Sequence, residues 1–406
     1  MRADHPTTTP DTAVDTRTGA PSGPQIVASI ADVVLAEAAA CEAARTTTQP
    51  VVDAMWSSGL MTHMNPREAG GDEPSFADMI DTWIDMAALD GSFGWIGIAN
   101  LPSAAASAAL LPDAGFAEVF GGPDHHVTIG GQFAPNGKGV VVEGGIRLSG
   151  AWNFGSGTGH SAFVAAGYLP FVDGEMQWVA PGVPDLRVAI LPRDEVTFTD
   201  GWHVQGLRGT GSYDYNVQDV FVPEHRTYEL FSRSLHRGHS PALRMGLMPI
   251  TAAGHAGWAL GVARSMLDDV AELAASRVRM GDTAALVHRP TFQLGYGEHL
   301  AMWRAARLLV LDTFTAVERA VASGEELTPA MRAEMRLAAV HATNASRKVG
   351  EWAHLAAGTT AIRDGSRLER AFRDLYTGTQ HAFIGEKVAT ESAQVLLGLV
   401  DDHRGL

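Results

Sequence analysis

The 406-residue sequence is poor in several residue types, and each shortage excludes a class of protein. Cys41 is the only cysteine, so an intrachain disulfide is impossible and a thiolate metal cluster is excluded. Lysine and arginine total 30 against 46 acidic residues, and the net charge of −16 disfavours nucleic acid or an anionic membrane as the main partner. His63, His236 and His239 have no acidic neighbour arranged for a metal ion, so we predict no metal site.

Long apolar runs and nucleotide-binding motifs are also missing. No apolar run approaches the ~18 residues of a membrane span, so we expect no contact with a membrane. Residues 1–24 are rich in Thr, Pro, Asp and Gly and lack the apolar core of a signal peptide, so we expect a disordered tail on a cytoplasmic protein. Neither a Walker-type loop nor a G-x-G-x-x-G after a strand occurs, so no nicotinamide site is expected and electrons must arrive by another route.

The hydrophobic period divides the rest of the sequence into three parts. Residues 25–121 have helical spacing, with Ser75 as a helix cap and with Pro102 and Pro112 separating two short helices. Residues 122–230 contain short β-rich runs between turn signals, which predict a compact antiparallel β-domain. Residues 231–406 return to helical spacing, and their four apolar stripes predict a four-helix bundle. The predicted class is therefore α+β, mostly α.

One glycine-rich stretch, Arg147–Ser161, stands out with the sequence RLSGAWNFGSGTGHS. It begins as a half-buried strand that carries Trp152, and the side chains then become small around Ser156. We expect these small residues to bring backbone amides and the Ser156 hydroxyl close to a planar heterocycle or an oxyanion. A glycine-rich turn beside an aromatic core residue is the alternative.

The pattern W-x-F-x-S-G-x-x-H, from Trp152 to His160, resembles the flavin-facing strand of flavin-dependent monooxygenases that share the acyl-CoA dehydrogenase fold. WHVQGLRGTGS at 202–212 and RVRMG at 277–281 are similar to further motifs of that family, with Met280 where relatives have Phe. The order of helical domain, β-domain and four-helix bundle also matches. The resemblance therefore implies the acyl-CoA dehydrogenase-like fold and a monooxygenase of the two-component, group D type.

The same resemblance implies which residues contact flavin and substrate. Ser156 is expected to face N5 of the flavin, and Arg277 to meet its phosphates. The implied cofactor-binding residues are Gln132, Pro135, Trp152, Phe154, Gly155, Ser156, Gly157, Arg277, Gln293, Gly358 and Arg373. The expected substrate-binding residues are Phe93, Trp95 and Arg208. The structural alternatives are a core position for Phe93 and Trp95, a surface turn for Arg208, and an ion pair between Arg373 and Asp374.

His381 is the candidate catalytic residue beside Ser156. Dehydrogenases of the superfamily use a glutamate placed either after Asp374 or on the first long helix of the bundle. No carboxylate occurs between Asp374 and Glu386 or from 230 to 267, and His381 instead matches the last residue of R-D-x-x-x-x-x-Q-H in monooxygenases. The resemblance implies that His381 is a base or a partner of the flavin hydroperoxide. A structural histidine is the alternative.

The resemblance implies an oxygenase component that receives reduced flavin, FADH2 or FMNH2, from a separate reductase. Reaction with O2 would give a C4a-hydroperoxide, which hydroxylates a small apolar substrate, aromatic or polycyclic. The apolar stripes are wider than one bundle needs, and Gln293 lies at a subunit contact in relatives, so we expect a homotetramer, or at least a dimer, with flavin near the interface. The alternatives are an acyl-CoA dehydrogenase with permanently bound FAD and a catalytically inactive homologue that acts as a scaffold or flavin store.

Overall fold

The computed structural model describes residues 20–122, 127–199, 202–281, 283–403 and 405–406. Residues 1–19 of the predicted tail, and the pair His125–His126, lie outside these ranges. The predicted tail over residues 1–24 is nevertheless too long, because helix α1 begins at Gly23. The side chain of Gln25 accepts a hydrogen bond from the backbone N–H of Ser22 at 2.9 Å, which satisfies one of the free donors at the start of a helix.

The first part of the chain is helical, as the periodicity predicts. Ser75 caps α4 by accepting a hydrogen bond from the Asp78 N–H at 3.3 Å. Pro102 does not separate two helices, contrary to the prediction, but lies inside α5. Packing on all sides of α5 compensates the one backbone hydrogen bond that proline removes. The helices are α1 (Gly23–Ser29), α2 (Ala31–Ala44), α3 (Gln49–Ser57), α4 (Phe76–Leu89), α5 (Gly91–Leu110) and α6 (Asp113–Phe120).

Helix α5 is the most deeply enclosed element of the N-terminal part. By length and composition alone it could cross a membrane, which the sequence analysis did not anticipate. In the structure, 94% of its most apolar 18-residue window is buried against α4, the bundle and the sheet. The same apolar composition therefore makes α5 a core helix of this fold.

The middle of the chain forms a mixed sheet rather than the predicted antiparallel one. Its strand order is β10-β7-β3-β1-β2-β9-β8, and β1 and β3 pair in parallel. The glycine-rich loop after β2 crosses β1, so that β3 pairs with the other edge of β1. This crossing makes β3 run parallel to β1. The strands are β1 (Ile129–Val142), β2 (Gly145–Gly155), β3 (Phe163–Val172), β4 (Glu175–Met176), β5 (Trp178–Ala180), β6 (Val183–Pro184), β7 (Arg187–Pro192), β8 (Thr197–Thr199), β9 (Tyr213–Pro223) and β10 (Thr227–Glu229).

The C-terminal part has three long helices, and the fourth bundle position is shared by two shorter ones. The predicted fourth stripe, Ile384, Val388, Val395 and Leu399, does not lie on one helix, because the last helix spans only Glu386–Leu396 and Leu399 beyond it is exposed. A side chain at Gly378 would collide with Trp258, so glycine lets α11 end directly against α8. The helices are α7 (Pro241–Met245), α8 (Leu247–Ser276), α9 (Pro290–Ala322), α10 (Pro329–Ala357), α11 (Arg367–Gly378) and α12 (Glu386–Leu396).

The helical parts share one apolar core, in which α4 and α5 pack on α8. A second core lies within the sheet and includes Trp152, Tyr168 and Tyr215. The start of α5, the loops after β2 and before β9, the start of α8 and the segment after α11 meet between these cores. This junction gathers the polar side chains described next.

Candidate functional site

Trp95, in the first turns of α5, connects the predicted catalytic residues. Its indole N–H donates to Ser156 Oγ at 3.0 Å. Its ring packs edge-on against Trp258, His255 and His381, with centroid separations of 4.9, 5.5 and 5.7 Å. Ser156 and His381 thus lie on two sides of one tryptophan, although 225 positions separate them in the sequence.

Ser156 also joins the two motifs of the β-domain. Ser212, the last residue of WHVQGLRGTGS, donates to Ser156 Oγ at 3.0 Å. Because Ser156 Oγ accepts hydrogen bonds from both Trp95 and Ser212, its own hydrogen is left to donate to a ligand. The neighbouring amides differ from expectation, since the Gly157 N–H donates to Thr210 O at 3.2 Å and is used within the protein.

Gly157 is required by the backbone at this point. Its φ is +72°, in the left-handed region, and a Cβ there would lie 2.3 Å from the side chain of Asn100 on α5. Asn100 in turn donates to Ile129 O at 2.8 Å. The loop that carries Ser156 is therefore seated directly on the helix that carries Trp95.

His381 lies where the chain turns between α11 and α12. Its Nδ1 accepts a hydrogen bond from the Phe383 N–H at 3.3 Å, so the neutral ring carries its proton on Nε2. Burial, together with the charge of Arg336, lowers the pKa of His381 to about 4. At neutral pH the ring is therefore uncharged and presents an N–H.

His255 is the residue of this site that the sequence analysis missed. It lies on α8, and its ring centroid is 4.5 Å from that of His381. Its Nδ1 donates to Thr251 O at 2.7 Å, and within the described ranges Nε2 has no hydrogen-bond partner. Burial, followed by the nearby His381, lowers its pKa well below the usual value. Its sequence signal is its place in the stretch 230–267, on the helix where dehydrogenases of the superfamily can carry their glutamate.

Phe154 and Trp152 share strand β2 but have opposite environments. Phe154 is 62% exposed, has a left-handed φ of 63°, and meets Trp202 edge-on at 6.2 Å. Trp152 is fully buried, is stacked on Tyr215 at 5.2 Å, and donates to Gly167 O at 3.0 Å. Phe154 therefore presents a free ring face, whereas Trp152 supports the strand from the sheet core.

The other predicted flavin contacts of the sheet lie around Ser156. The N–H of Gln132 donates to the Tyr215 hydroxyl at 2.9 Å, and the adjacent Gly131 N–H donates to Ser156 O at 3.3 Å. Gly155 packs against Tyr215, where a Cβ would lie 2.8 Å from the ring. Pro135 is exposed further along β1. Their contact with a cofactor stays a prediction.

Three predicted cofactor residues lie at the opposite end of α8. Arg277 follows the last turn of α8, Gln293 lies in the first turn of α9, and Gly358 ends α10 at a φ of +62°. Arg277 is separated from His255 by 22 positions, or ~33 Å of helix at ~1.5 Å per residue. Exposed apolar side chains surround this end, namely Val278, Met280, Leu294, Leu355 and Ile362. One protomer therefore does not bring these residues to Ser156.

Arg208 and Arg373 line a separate cleft of about 710 Å³ beside α2. Arg208 donates from Nε to Val204 O at 2.9 Å. Arg373 pairs with Glu42 at 2.6 Å and with Glu369, and these carboxylates raise its pKa. The suggested ion pair of Arg373 with Asp374 does not form.

Asp374 and Phe93 are buried beside the site but serve the fold. Asp374 accepts a hydrogen bond from the Leu207 N–H at 2.5 Å, and burial raises the pKa of its carboxyl to about 8. Phe93 lies in the helical core, which is the structural alternative given for it. Trp95 is equally buried but, unlike Phe93, contacts Ser156 and both histidines.

His63 has acidic neighbours after all, which corrects the reading of the sequence. Its Nδ1 lies 3.0 Å from Asp72 Oδ2 and its Nε2 lies 2.7 Å from Asp78 Oδ2. The two carboxylates outweigh burial and raise the pKa of His63 to about 9. The pair holds a charged imidazole between them, and across the described ranges no cluster of three or more ligand side chains suits a metal ion.

Comparisons with known proteins show which chains this one is similar to. Residues 253–386 match the family model described as the acyl-CoA dehydrogenase C-terminal domain. Indole-3-acetate monooxygenase from Pseudomonas putida is 29% identical over 366 residues, which cover 87% of this chain and 88% of the relative. The oxygenase component of FADH(2)-dependent resorcinol hydroxylase from Rhizobium sp. is 28% identical over 394 residues, covering 92% and 93%.

A solved structure with a similar fold is the HsaA monooxygenase from Mycobacterium tuberculosis. It is 26% identical, has a TM-score of 0.86, and the match covers 95% of this chain and 99% of that one. The match extends over all three parts of the chain. Over nearly its whole length the chain is therefore similar to flavin-dependent monooxygenases, and part of it matches the acyl-CoA dehydrogenase C-terminal domain.

Proposed function

We propose that this protein is the oxygenase component of a two-component flavin-dependent monooxygenase. It would take reduced flavin from a separate reductase and insert one oxygen atom of O2 into a small aromatic substrate. The observation that carries the proposal is the junction at Trp95, where the Ser156 hydroxyl and the neutral imidazoles of His255 and His381 surround one indole ring. Alignment to oxygenases over nearly the whole chain supports it.

The residues at the junction fit a flavin. Phe154 offers an exposed ring face for a planar heterocycle, and Ser156 has a hydroxyl hydrogen free to donate to a ring nitrogen. When bound, reduced flavin would supply the two electrons that activate O2. The protein residues hold and shield the reactants, and Trp95, Trp258 and Phe383 exclude water around the histidines.

His381 is proposed to act on the reacting oxygen atoms as a hydrogen-bond donor through Nε2. Its low pKa keeps it uncharged, so that it does not repel the nearby Arg336. A substrate that lies between His381 and Ser156 would contact the edge of Trp95. Aromatic walls favour an aromatic substrate, and the relatives' names, indole-3-acetate monooxygenase and resorcinol hydroxylase, refer to aromatic compounds.

We further propose a homotetramer, in which the Arg277 end of one protomer completes the flavin site of another. The exposed apolar side chains around Arg277, including Leu294 and Leu355, are suited to a subunit interface. This arrangement gives Arg277, Gln293 and Gly358 access to the outer part of a flavin whose ring lies at Ser156. The cytoplasmic location stays a prediction.

Reconstitution with a separate flavin reductase tests the function. Without a reductase the protein should not oxidise NADH, and it should bind reduced flavin more tightly than oxidised flavin. With reductase, flavin and O2 it should convert aromatic substrates to hydroxylated products that contain one atom from ¹⁸O2. Ser156→Ala should weaken this conversion, whereas Ser149→Ala, on the same strand, should not.

Three results would count against the proposal. NADH oxidation by the protein alone would contradict the two-component assignment. Reduction of an artificial acceptor by acyl-CoA, catalysed by a protein purified yellow with FAD, would favour the dehydrogenase alternative. Tight binding of reduced flavin without any oxygenated product across an aromatic substrate screen would favour a scaffold or flavin store.

A further inference from the structure

Arg336, near the start of α10, is a buried cation without an ionic partner among the described residues. It is 2% exposed, and its Nε and Nη1 have no hydrogen-bond partner. Burial lowers the pKa of its guanidinium to about 10. An unpaired charge in a protein interior costs stability, so its presence calls for a counter-charge from a ligand.

Arg336 faces the same region as the two histidines of the junction. Its guanidinium carbon lies 5.5 Å from the ring centroid of Phe383. That ring is 5.0 Å from His381 and 6.0 Å from His255, and the charge of Arg336 lowers the pKa of both histidines. Glu391 on α12 raises the pKa of Arg336, but burial outweighs it.

Glu391 does not neutralise Arg336 in the way that a paired carboxylate would. Glu391 forms an ion pair with Lys387, at 3.6 Å on the same helix, and no hydrogen bond joins it to Arg336 within the described residues. Arg332, one turn earlier on α10, shows the contrast, because its guanidinium is 2.6 Å from Asp402. Arg332 therefore has a carboxylate partner, whereas Arg336 has none among the described residues and is left to bind a ligand.

The three basic side chains offer a defined set of donors and one acceptor. Arg336 has two nitrogens without a hydrogen-bond partner, Nε and Nη1, and neutral His381 has an N–H at Nε2. His255 has a lone pair at Nε2, because its Nδ1 hydrogen is donated to Thr251. Such a set complements an acidic oxygen, since the donors bind its lone pairs and the acceptor takes its hydrogen.

We propose that Arg336 and His255, with His381, bind an acidic oxygen of the substrate, either a phenol hydroxyl or a carboxylate. For a phenol, the O–H bond breaks, the proton is released to solvent because His255 stays neutral, and the electron pair stays on the oxygen that Arg336 binds. A carboxylate is already ionised, carries no hydrogen for His255 to accept, and is bound by the donors of Arg336 and His381. The inference rests on the proposed function in one point only: it assumes that the bound acidic compound is the substrate that is oxygenated.

Binding measured by calorimetry without flavin tests the inference. Two pairs of probes separate the sources of the oxygen: indole-3-acetate against indole-3-acetamide, and 4-nitrophenol against nitrobenzene. Wild-type protein should prefer the acidic member of at least one pair, and bound 4-nitrophenol should turn yellow as it ionises. Arg336→Gln should lose on the order of 10²-fold affinity for that acidic probe and keep its affinity for the neutral one.

Matched variants separate binding from folding. Arg336→Lys should recover part of the preference because it restores the charge. Arg347→Gln removes an arginine from the same helix that pairs with Glu351, and should bind the probes as wild type does. Arg336→Gln should unfold at the same temperature as wild type or higher, because it removes an uncompensated buried charge. A structural role would instead lower that temperature.

Each outcome decides the matter. Loss confined to indole-3-acetate assigns a carboxylate, and loss confined to 4-nitrophenol assigns a phenol. The inference is overturned if wild type prefers neither acidic probe, if Arg336→Gln keeps the preference, or if that variant weakens the neutral probes equally. Since flavin and O2 are absent from the assay, failure of the oxygenase proposal would leave these binding results unchanged.

Discussion

Replacing His381 by two different residues separates its place in the chemistry from its place in the fold. His381→Ala removes both contacts of the ring: the Nδ1 that accepts from the Phe383 N–H at 3.3 Å and the Nε2 hydrogen directed to ligand. His381→Asn keeps an acceptor at the position of Nδ1, because Asn is a good residue for the start of a helical turn, but lacks the second nitrogen. The two variants therefore differ mainly in whether the side chain at position 381 can accept the hydrogen bond from the Phe383 N–H.

The cap should be worth about 1 kcal/mol, so we expect His381→Ala to unfold more easily than His381→Asn by about that amount. If Nε2 acts on the reacting oxygens, both variants should lose ~10²–10⁴ in product formation. The assay is product and hydrogen peroxide measured together, with reductase and flavin supplied. Peroxide should rise as product falls, because reduced flavin is still oxidised by O2 when the oxygen is not transferred.

Full activity in His381→Asn would refute this reasoning, since it would show that only the cap matters. Equal activity loss with unchanged peroxide would also count against it, because failure to bind flavin would then explain both variants. Measuring the affinity for reduced flavin in each variant distinguishes that case. Both affinities should stay close to the wild-type value.

Three further predictions concern stability and assembly. The pKa of His63 is raised to about 9, so its ion pairs stabilise the folded state by about 3 kcal/mol below pH ~6.5, and this stabilisation is lost as the pH rises through 9. His63→Gln should therefore remove the difference between the free energies of unfolding measured in urea at pH 6.5 and at pH 9.5. The same pH difference in this variant as in wild type would contradict the prediction. Gly157→Ala should lower the free energy of unfolding by about 3 kcal/mol through its left-handed φ and its collision with Asn100, whereas Gly297→Ala, in open space on α9, should not lower it. Leu294→Asp should convert the proposed tetramer to smaller species in light scattering, and an unchanged mass would place the interface elsewhere.

Local patterns predicted those parts of the fold that depend on neighbours in sequence. The cap at Ser75 and the stripes of α4, α8, α9 and α10 follow from helical spacing, which operates over a few residues. Pro102 was read as a break because proline is unfavourable in an isolated helix, and the enclosure that compensates it is a tertiary effect. The parallel pairing of β1 with β3 is equally non-local, since it depends on how the loop at Ser156 crosses the sheet.

The candidate site was predicted to the extent that motifs mark it. Ser156 and His381 lie in distinctive strings, and the structure places both against Trp95. His255 and Arg336 lie on long helices without any such string, and only their neighbours in space make them notable. Arg208 shows the reverse case, because its motif is distinctive while its side chain points into a different cleft.

The length of α8 has a consequence for how such enzymes can change. His255 lies near the start of α8 and Arg277 lies just after its end, so the two are ~33 Å apart, far beyond the ~10 Å within which substitutions usually interact. Free-energy changes caused by mutations at the two ends should therefore add. New side chains around His255 can alter which compound fits without disturbing the end that carries Arg277. A lineage could thus exchange one substrate for another while it continues to use the same supply of reduced flavin.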